Sequence, residues 1–181
     1  MITLKEMITK KEMKQFVMFP FSIYKNNPYW VPPIIAEELE TLNKDKNPAF
    51  ENAEARFFVA IKNNKIVGRI ATIINWYEVK KQEIKKMRFG WYDVIDDLEV
   101  SKALIQKVEE IGKKNDLEYI CIEAAPEYYK ALIDNLSYLK LQFPNLKVHT
   151  VNKLVGKEID NVKLEVFKNY EGSMRATPGG N

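Results

Sequence analysis

Four acids, Asp93, Asp96, Asp97 and Glu99, run from a strand-like segment into the start of a helix. Carboxylates at that density can take a proton, hold a cationic substrate or ligate a metal. No histidine stands near them, which leaves the metal weakly supported. Asp96 with Glu99 three residues on reads as a capping box, so helix capping explains these acids better. His149, the single histidine, has no Ser or Cys elbow nearby, so a triad or a zinc site has little support. Cys121, the single cysteine, falls on a short apolar strand and reads as a small buried hydrophobe. Lys80, Lys81, Lys85, Lys86 and Arg88, beside Trp76 and Tyr77, have the charge and stacking character of a nucleic-acid surface. Glu78 and Glu83 interrupt that run, and a solvated hairpin loop is the better reading. Phe19, Phe21, Tyr24, Tyr29 and Trp30 either line an acceptor pocket or form the joint between two short helices.

These residues need elements to position them. Ile2 to Met7 reads as a strand, and Thr9 with Glu12 as the capping box of a helix that Pro20 ends or kinks. Pro32 and Pro33 open a second helix with Ile34, Ile35, Leu39 and Leu42 on its apolar side. Arg56 to Ile61 and Ile66 to Tyr77 pair as a hairpin around Lys62–Lys65. Met87 to Ile95 is a further strand, where Gly90 marks a bulge or a close approach. Val100 to Lys114 is the clearest helix, with Val100, Ala103, Leu104, Val108 and Ile111 on one face. A strand at Tyr119 to Glu123, a helix opened by Pro126, and two strands at Val148 to Val155 and Val162 to Phe167 follow. The order β-α-α-β-β-β-α-β-α-β-β implies an α/β fold with a mixed sheet and helices on both faces. Residues 1–170 are expected to form one domain and 171–181 a loose tail.

Bulk properties narrow the partners. Hydrophobic residues make up 46% of the 181-residue chain and charged residues 29%, as in a globular protein. The net charge of +3 is too small to imply nucleic acid or a membrane surface. One cysteine excludes an internal disulfide, and the N-terminus lacks the apolar core of a secretory signal. No apolar run approaches the roughly 20 residues of a membrane span. Cytoplasm is the expected compartment, with neither nucleic acid nor membrane as partner.

The element order resembles the GNAT N-acyltransferase fold. Phe19–Tyr24, Asn27–Pro33, Lys46–Phe50, Val67–Ile70 and Phe89–Asp93 running into Asp96–Val100 are similar to a little-characterised bacterial branch of that superfamily. Beyond Tyr119 the branch has a Gly-Pro segment, where this chain has Cys121-Ile122-Glu123-Ala124. The resemblance implies acyl transfer from acetyl-CoA or another acyl-CoA to a small-molecule or peptide amine, and it allows a homodimer. It implies that backbone groups around Tyr92 and Val94 hold the pantetheine arm and that Asp93 serves as general base. It further implies that Tyr138, in Tyr138-Leu139-Lys140-Leu141-Gln142-Phe143, reprotonates the leaving thiolate; a phenol with pKa about 10 suits that step.

In this superfamily the pyrophosphate lies on a Gly-rich loop opening the next helix. Ile95–Lys102 contains no glycine, and only Ser101 and Lys102 remain to meet an anion. An acidic cap would consume the helix amides, and three carboxylates would repel phosphate, each like pair costing about 1 kcal/mol even in water.

Overall fold

Thr9 caps the first helix as its spacing predicts. The Glu12 amide donates to Thr9 Oγ1 at 3.3 Å, and the Thr9 amide to Glu12 Oε2 at 2.9 Å. The structure is a computed structural model that describes residues 1–121, within one compact unit, Met1–Ile122. Its elements are β1 (Ile2–Glu6), α1 (Lys10–Ile23), α2 (Ile35–Thr41), a 3-10 turn (Pro48–Glu51), β2 (Ala53–Lys62), β3 (Lys65–Asn75), α3 (Trp76–Lys81), β4 (Lys86–Val94), α4 (Leu98–Lys114) and β5 (Tyr119–Cys121). Tyr138, His149, the expected last helix and strands, and the expected domain end at 170 lie outside the described residues.

The strands form one sheet in the order β1-β2-β3-β4-β5. The first four are antiparallel, and β5 joins β4 in parallel, from Lys86↔Tyr119 to Arg88↔Cys121. Strand β2 is buried on both faces, so its Phe-Phe-Val-Ala run is continuous rather than alternating. Phe57 and Val59 meet Phe16 and Val17 of α1 in one half-core. Phe58 and Ala60 meet Val100, Leu104 and Val108 of α4 in the other. Gly68 on β3 lets α4 come close. A Cβ there would lie 2.8 Å from Leu104 Cδ1 and 3.2 Å from Val100 Cγ1.

Three expectations need correction. Of the two alternatives for Pro20, it does not end α1, which runs three residues further to Ile23. The strand expected to reach Tyr77 stops at Asn75, whose Oδ1 accepts from the Tyr77 and Glu78 amides and caps α3. The segment expected as a solvated loop is therefore partly helical; Glu78 and Lys86 are buried, while Lys80, Lys81 and Glu83 stay exposed. Arg88 forks onto Glu78 with two bonds of 2.9 Å, and Lys86 Nζ lies 3.6 Å from the same carboxylate. Lys85 pairs with Asp116, and Lys80 sits over the Trp76 ring. Most of the supposed basic surface is thus committed to intramolecular partners. Among the described residues no helix is long and apolar enough to cross a membrane.

Candidate functional site

Strand β4 breaks step after Gly90. Ala71 pairs with Gly90 and Arg69 with Asp93, so Ile70 alone faces the pair Trp91 and Tyr92. This is a β-bulge, one residue beyond the glycine that signalled it. Trp91 takes φ of 46°, a left-handed conformation that costs a bulky side chain about 1–3 kcal/mol. The bulge also reverses parity. Met87 and Phe89 face the α4 core, and after the extra residue so do Tyr92 and Val94. Phe89 and Tyr92, three apart, meet edge to face at 5.8 Å. Trp91 packs instead in the α1–α2 half-core.

The two faces carry different chemistry. Toward α1 and α2, the Trp91 indole donates to Glu38 Oε2 at 2.8 Å, fixing the bulge to α2. Arg69 Nε donates to Asp93 Oδ2 at 2.7 Å, and the Tyr24 hydroxyl to Asp93 Oδ1 at 2.9 Å. Arg69 is only 6% exposed, so the pair is almost wholly withdrawn from water. Pro20 completes this arrangement. It has no N–H, so the Phe16 carbonyl lacks its helical donor, and Arg69 Nη1 takes that oxygen at 2.9 Å. The guanidinium also lies 5.0 Å from the Phe16 ring centre. Burial, then the hydrogen bond and charge of Asp93, push the Tyr24 phenol up to about 12, and Arg69 pulls the other way. Tyr24 belongs to the aromatic group foreseen between the helices, with Trp30 5.6 Å from Tyr24 and 5.0 Å from Phe21.

Asp93, expected as a general base, therefore has both oxygens occupied by donors. Through these two bonds Asp93 ties β4 to β3 and α1. On the α4 face the expected residues do meet. The Tyr92 hydroxyl and Ser101 Oγ are 2.5 Å apart, and Val94 packs beside Gly68 against Val100. Lys102 is exposed on α4. Among the described residues, β5 pairs only with Lys86–Arg88, so Phe89–Val94 have no strand partner on that side.

The start of α4 is closed. Asp97, one residue later than expected, is the cap. Its Oδ1 accepts from the Glu99 and Val100 amides at 3.0 and 3.4 Å, and its Oδ2 holds Lys62 Nζ at 2.6 Å. Lys62 holds the Asp97 carboxyl below the usual carboxylate range, and the cap amides act in the same direction. Asp96 and Glu99 are exposed and make no cap bond with each other. The residues present do not fit a CoA pyrophosphate at this helix start. The described acids form no metal-holding group. An open depression of about 420 Å³ near Val79, Lys85 and Asp116 lies outside this constellation.

Sequence reasoning overlooked Arg69, Glu38 and Lys62. The signal for Arg69 was present: a guanidinium amid Ile66–Ile74 needs a buried acid, and Asp93 is the acid on the neighbouring strand.

No protein-family model matches the chain. Over 102 residues, 56% of its length, the chain is 35% identical to protein YghO of Escherichia coli K12. Over 103 residues it is 29% identical to the bacterial ceramide synthase of Caulobacter vibrioides. These matches span 26% and 27% of the relatives, about a quarter of their lengths. Among solved structures, an aminoglycoside acetyltransferase from an uncultured soil sample, in complex with sisomicin, superimposes with TM-score 0.55 at 15% identity, covering 87% of this chain and 97% of that one. The aminoglycoside acetyltransferase AAC(6')-Iy, bound to a CoA-containing bisubstrate analogue, gives 0.53 at 11% identity over 88% and 99%. A transcriptional regulator from Bacillus halodurans gives 0.51 at 11% identity over 85% and 99%, so the likeness carries architecture and not activity. With its mixed sheet, bulged fourth strand and these neighbours, the chain has the GNAT-like acyltransferase fold.

Proposed function

We propose that the protein transfers an acyl group from a thioester donor to a primary amine that carries an apolar body. The supporting observation is the bulge at Trp91–Tyr92, kept against its strain cost by Glu38 on one face and by the Tyr92–Ser101 contact on the other. Backbone strain of that kind persists where the surroundings over-determine it, which is typical of functional sites. The free amine attacks the thioester carbonyl, a C–N bond forms, and the C–S bond breaks to release a thiolate. Tyr138 is the proposed proton donor to that thiolate, and the amine proton passes to water. The backbone of Tyr92–Val94 is the proposed seat of the pantetheine arm. Arg69, Asp93 and Tyr24 set the shape of the neighbouring wall.

The acceptor class follows from two observations. The Caulobacter relative is named for ceramide synthesis, the N-acylation of a long-chain amino alcohol. The segment between α1 and α2 carries Tyr29, Val31 and Ile34 at 90%, 83% and 62% exposure, an apolar face suited to a hydrocarbon tail. A second reading, a binding protein on this fold without catalysis, draws on the occupied α4 amides.

Incubating the protein with acyl thioesters of several lengths and a long-chain amino alcohol, with mass spectrometry of the products, tests the first reading. It expects the amide and, at donor concentrations about 100 times Kd, about 2.7 kcal/mol of added stability. Stabilisation without product supports the second reading. Neither effect with any donor overturns both.

A further inference from the structure

Resting on the acyltransferase reading, we infer that the protein recognises its donor through the thioester and pantetheine arm alone, so that an acyl thioester lacking the CoA nucleotide serves as well as acyl-CoA. The argument begins with the donors at the start of α4. A phosphate bound there needs free amides, room for its oxygens and a favourable charge. Asp97 Oδ1 already accepts from Glu99 and Val100, two of the amides that point out of the first turn. The Ser101 amide is bonded to the Asp97 carbonyl at 3.1 Å, and the Ser101 hydroxyl to Tyr92. The carboxylate thus sits where a phosphate would, and it is held from behind by Lys62 at 2.6 Å.

Room and charge point the same way. Ile95 to Lys102 contains no glycine, so a Cβ stands at every position where a phosphate would need to approach the backbone closely. Asp96 and Glu99 flank the turn, both exposed. A pyrophosphate would have to expel Asp97, break its bond to Lys62 and then lie among three carboxylates, with Lys102 as the one lysine in the first two turns of α4 and the released Lys62 to offset them. Asp97 and Lys62 bond to each other and to the helix amides, whereas the bulged segment of β4, the proposed pantetheine seat, meets the helix through the Tyr92–Ser101 contact. Loss of the nucleotide site with retention of the thioester site is the combination these residues describe.

Kinetics with one acyl chain on CoA and on pantetheine, against a common amine, tests this directly. The expected kcat/KM values agree within about threefold; a 100-fold preference for acyl-CoA overturns the inference while leaving the acyltransferase reading intact. Absence of turnover with both donors strikes the acyltransferase reading instead, and binding then decides the nucleotide question. Calorimetric titration with adenosine 3′,5′-bisphosphate and inorganic pyrophosphate should show no saturation of the native protein at about millimolar ligand. Asp97→Gly, which frees two amides and Lys62, should tighten pyrophosphate binding at least tenfold. Asp97→Asn keeps a cap acceptor while removing the charge, and it should gain less. Micromolar binding of the bisphosphate to the native protein overturns the inference, as does pyrophosphate binding unchanged in both folded variants.

Discussion

Replacing Asp93 with alanine strands a guanidinium in the interior. Arg69 is 6% exposed, so water cannot take over from the lost carboxylate. Breaking a buried pair by removing one partner costs about 3–5 kcal/mol, because the remaining charge is uncompensated. Two interactions stay behind, the Phe16 carbonyl at 2.9 Å and the Phe16 ring at 5.0 Å, and they place the cost at the lower end, about 3 kcal/mol. Tyr24 also loses its acceptor, but its hydroxyl lies at a part-buried position where water can replace the carboxylate. With a urea dependence of about 2 kcal/mol per molar, the unfolding midpoint should fall by about 1.5 M. Asp93→Asn keeps an oxygen for Arg69 and offers its amide N–H to the Tyr24 hydroxyl, which then accepts; without the charge it should cost about half as much, near 1.5 kcal/mol. Arg69→Met in the Asp93→Ala background removes the orphaned charge and should recover at least about 1 kcal/mol. Acyl transfer measured per folded molecule separates this clamp from a base. A clamp leaves Asp93→Asn active at low temperature, whereas a base loses activity with little change in stability. A shift under about 0.3 M urea for Asp93→Ala, combined with loss of turnover, would refute the reasoning.

Two further outcomes follow from the geometry. Gly68→Ala puts a Cβ 2.8 Å from Leu104 Cδ1 between stiff Val94 and Val100; overpacking of about 1–3 kcal/mol outweighs the roughly 0.5–1 kcal/mol gained from a less flexible unfolded chain. Urea unfolding should show a net loss of about 1 kcal/mol that vanishes in a Leu104→Ala background; a stabilised single variant contradicts the close packing. Tyr24 favours its neutral form in the fold, with a pKa of about 12 against an unfolded value near 10. Its contribution is therefore complete below pH 10 and is lost as pH rises from 10 through 12. Near-ultraviolet titration of tyrosinate should show one late phase that Tyr24→Phe removes, and a Tyr24 that ionises with the bulk tyrosines would disprove the buried contact with Asp93.

Where signals were local, the sequence was legible. Thr9 and Glu12 satisfy each other within one turn, so the start of α1 could be read from two residues. The buried stripe of α4, Val100, Leu104, Val108 and Ile111, follows from periodicity alone. Reading failed where a distant partner decided. Trp76, Tyr77 and Val79 favour a strand by propensity, but Asn75 offers a cap and Arg88, ten residues beyond Glu78, supplies the charge that buries it. The cap of α4 was misplaced by one residue because Asp96 and Asp97 are chemically alike; Lys62, on β2, is held by Asp97. The partners of Asp93 were hidden for the same reason, since no sequence rule places Arg69 opposite it across a bulge.

The bulge and Pro20 work as one device. If the same residues ran as a regular strand with no bulge, Asp93 would share the parity of Phe89 and point toward α4, away from Arg69 and Tyr24. The inserted residue turns Trp91 and Asp93 toward α1 and α2 while returning Tyr92 and Val94 to the α4 side. Arg69 can then hold Asp93 with one nitrogen and the Phe16 carbonyl with another, because Pro20 leaves that carbonyl without a helical donor. Two irregularities that each weaken a regular element, a missing helix donor and a broken ladder, thus satisfy one another through a single guanidinium. That bond fixes α1 and its aromatic extension against the same stretch of β4 proposed to seat the donor. If the proposed function holds, one buried charge pair sets both the wall proposed for the acceptor and the strand proposed for the thioester.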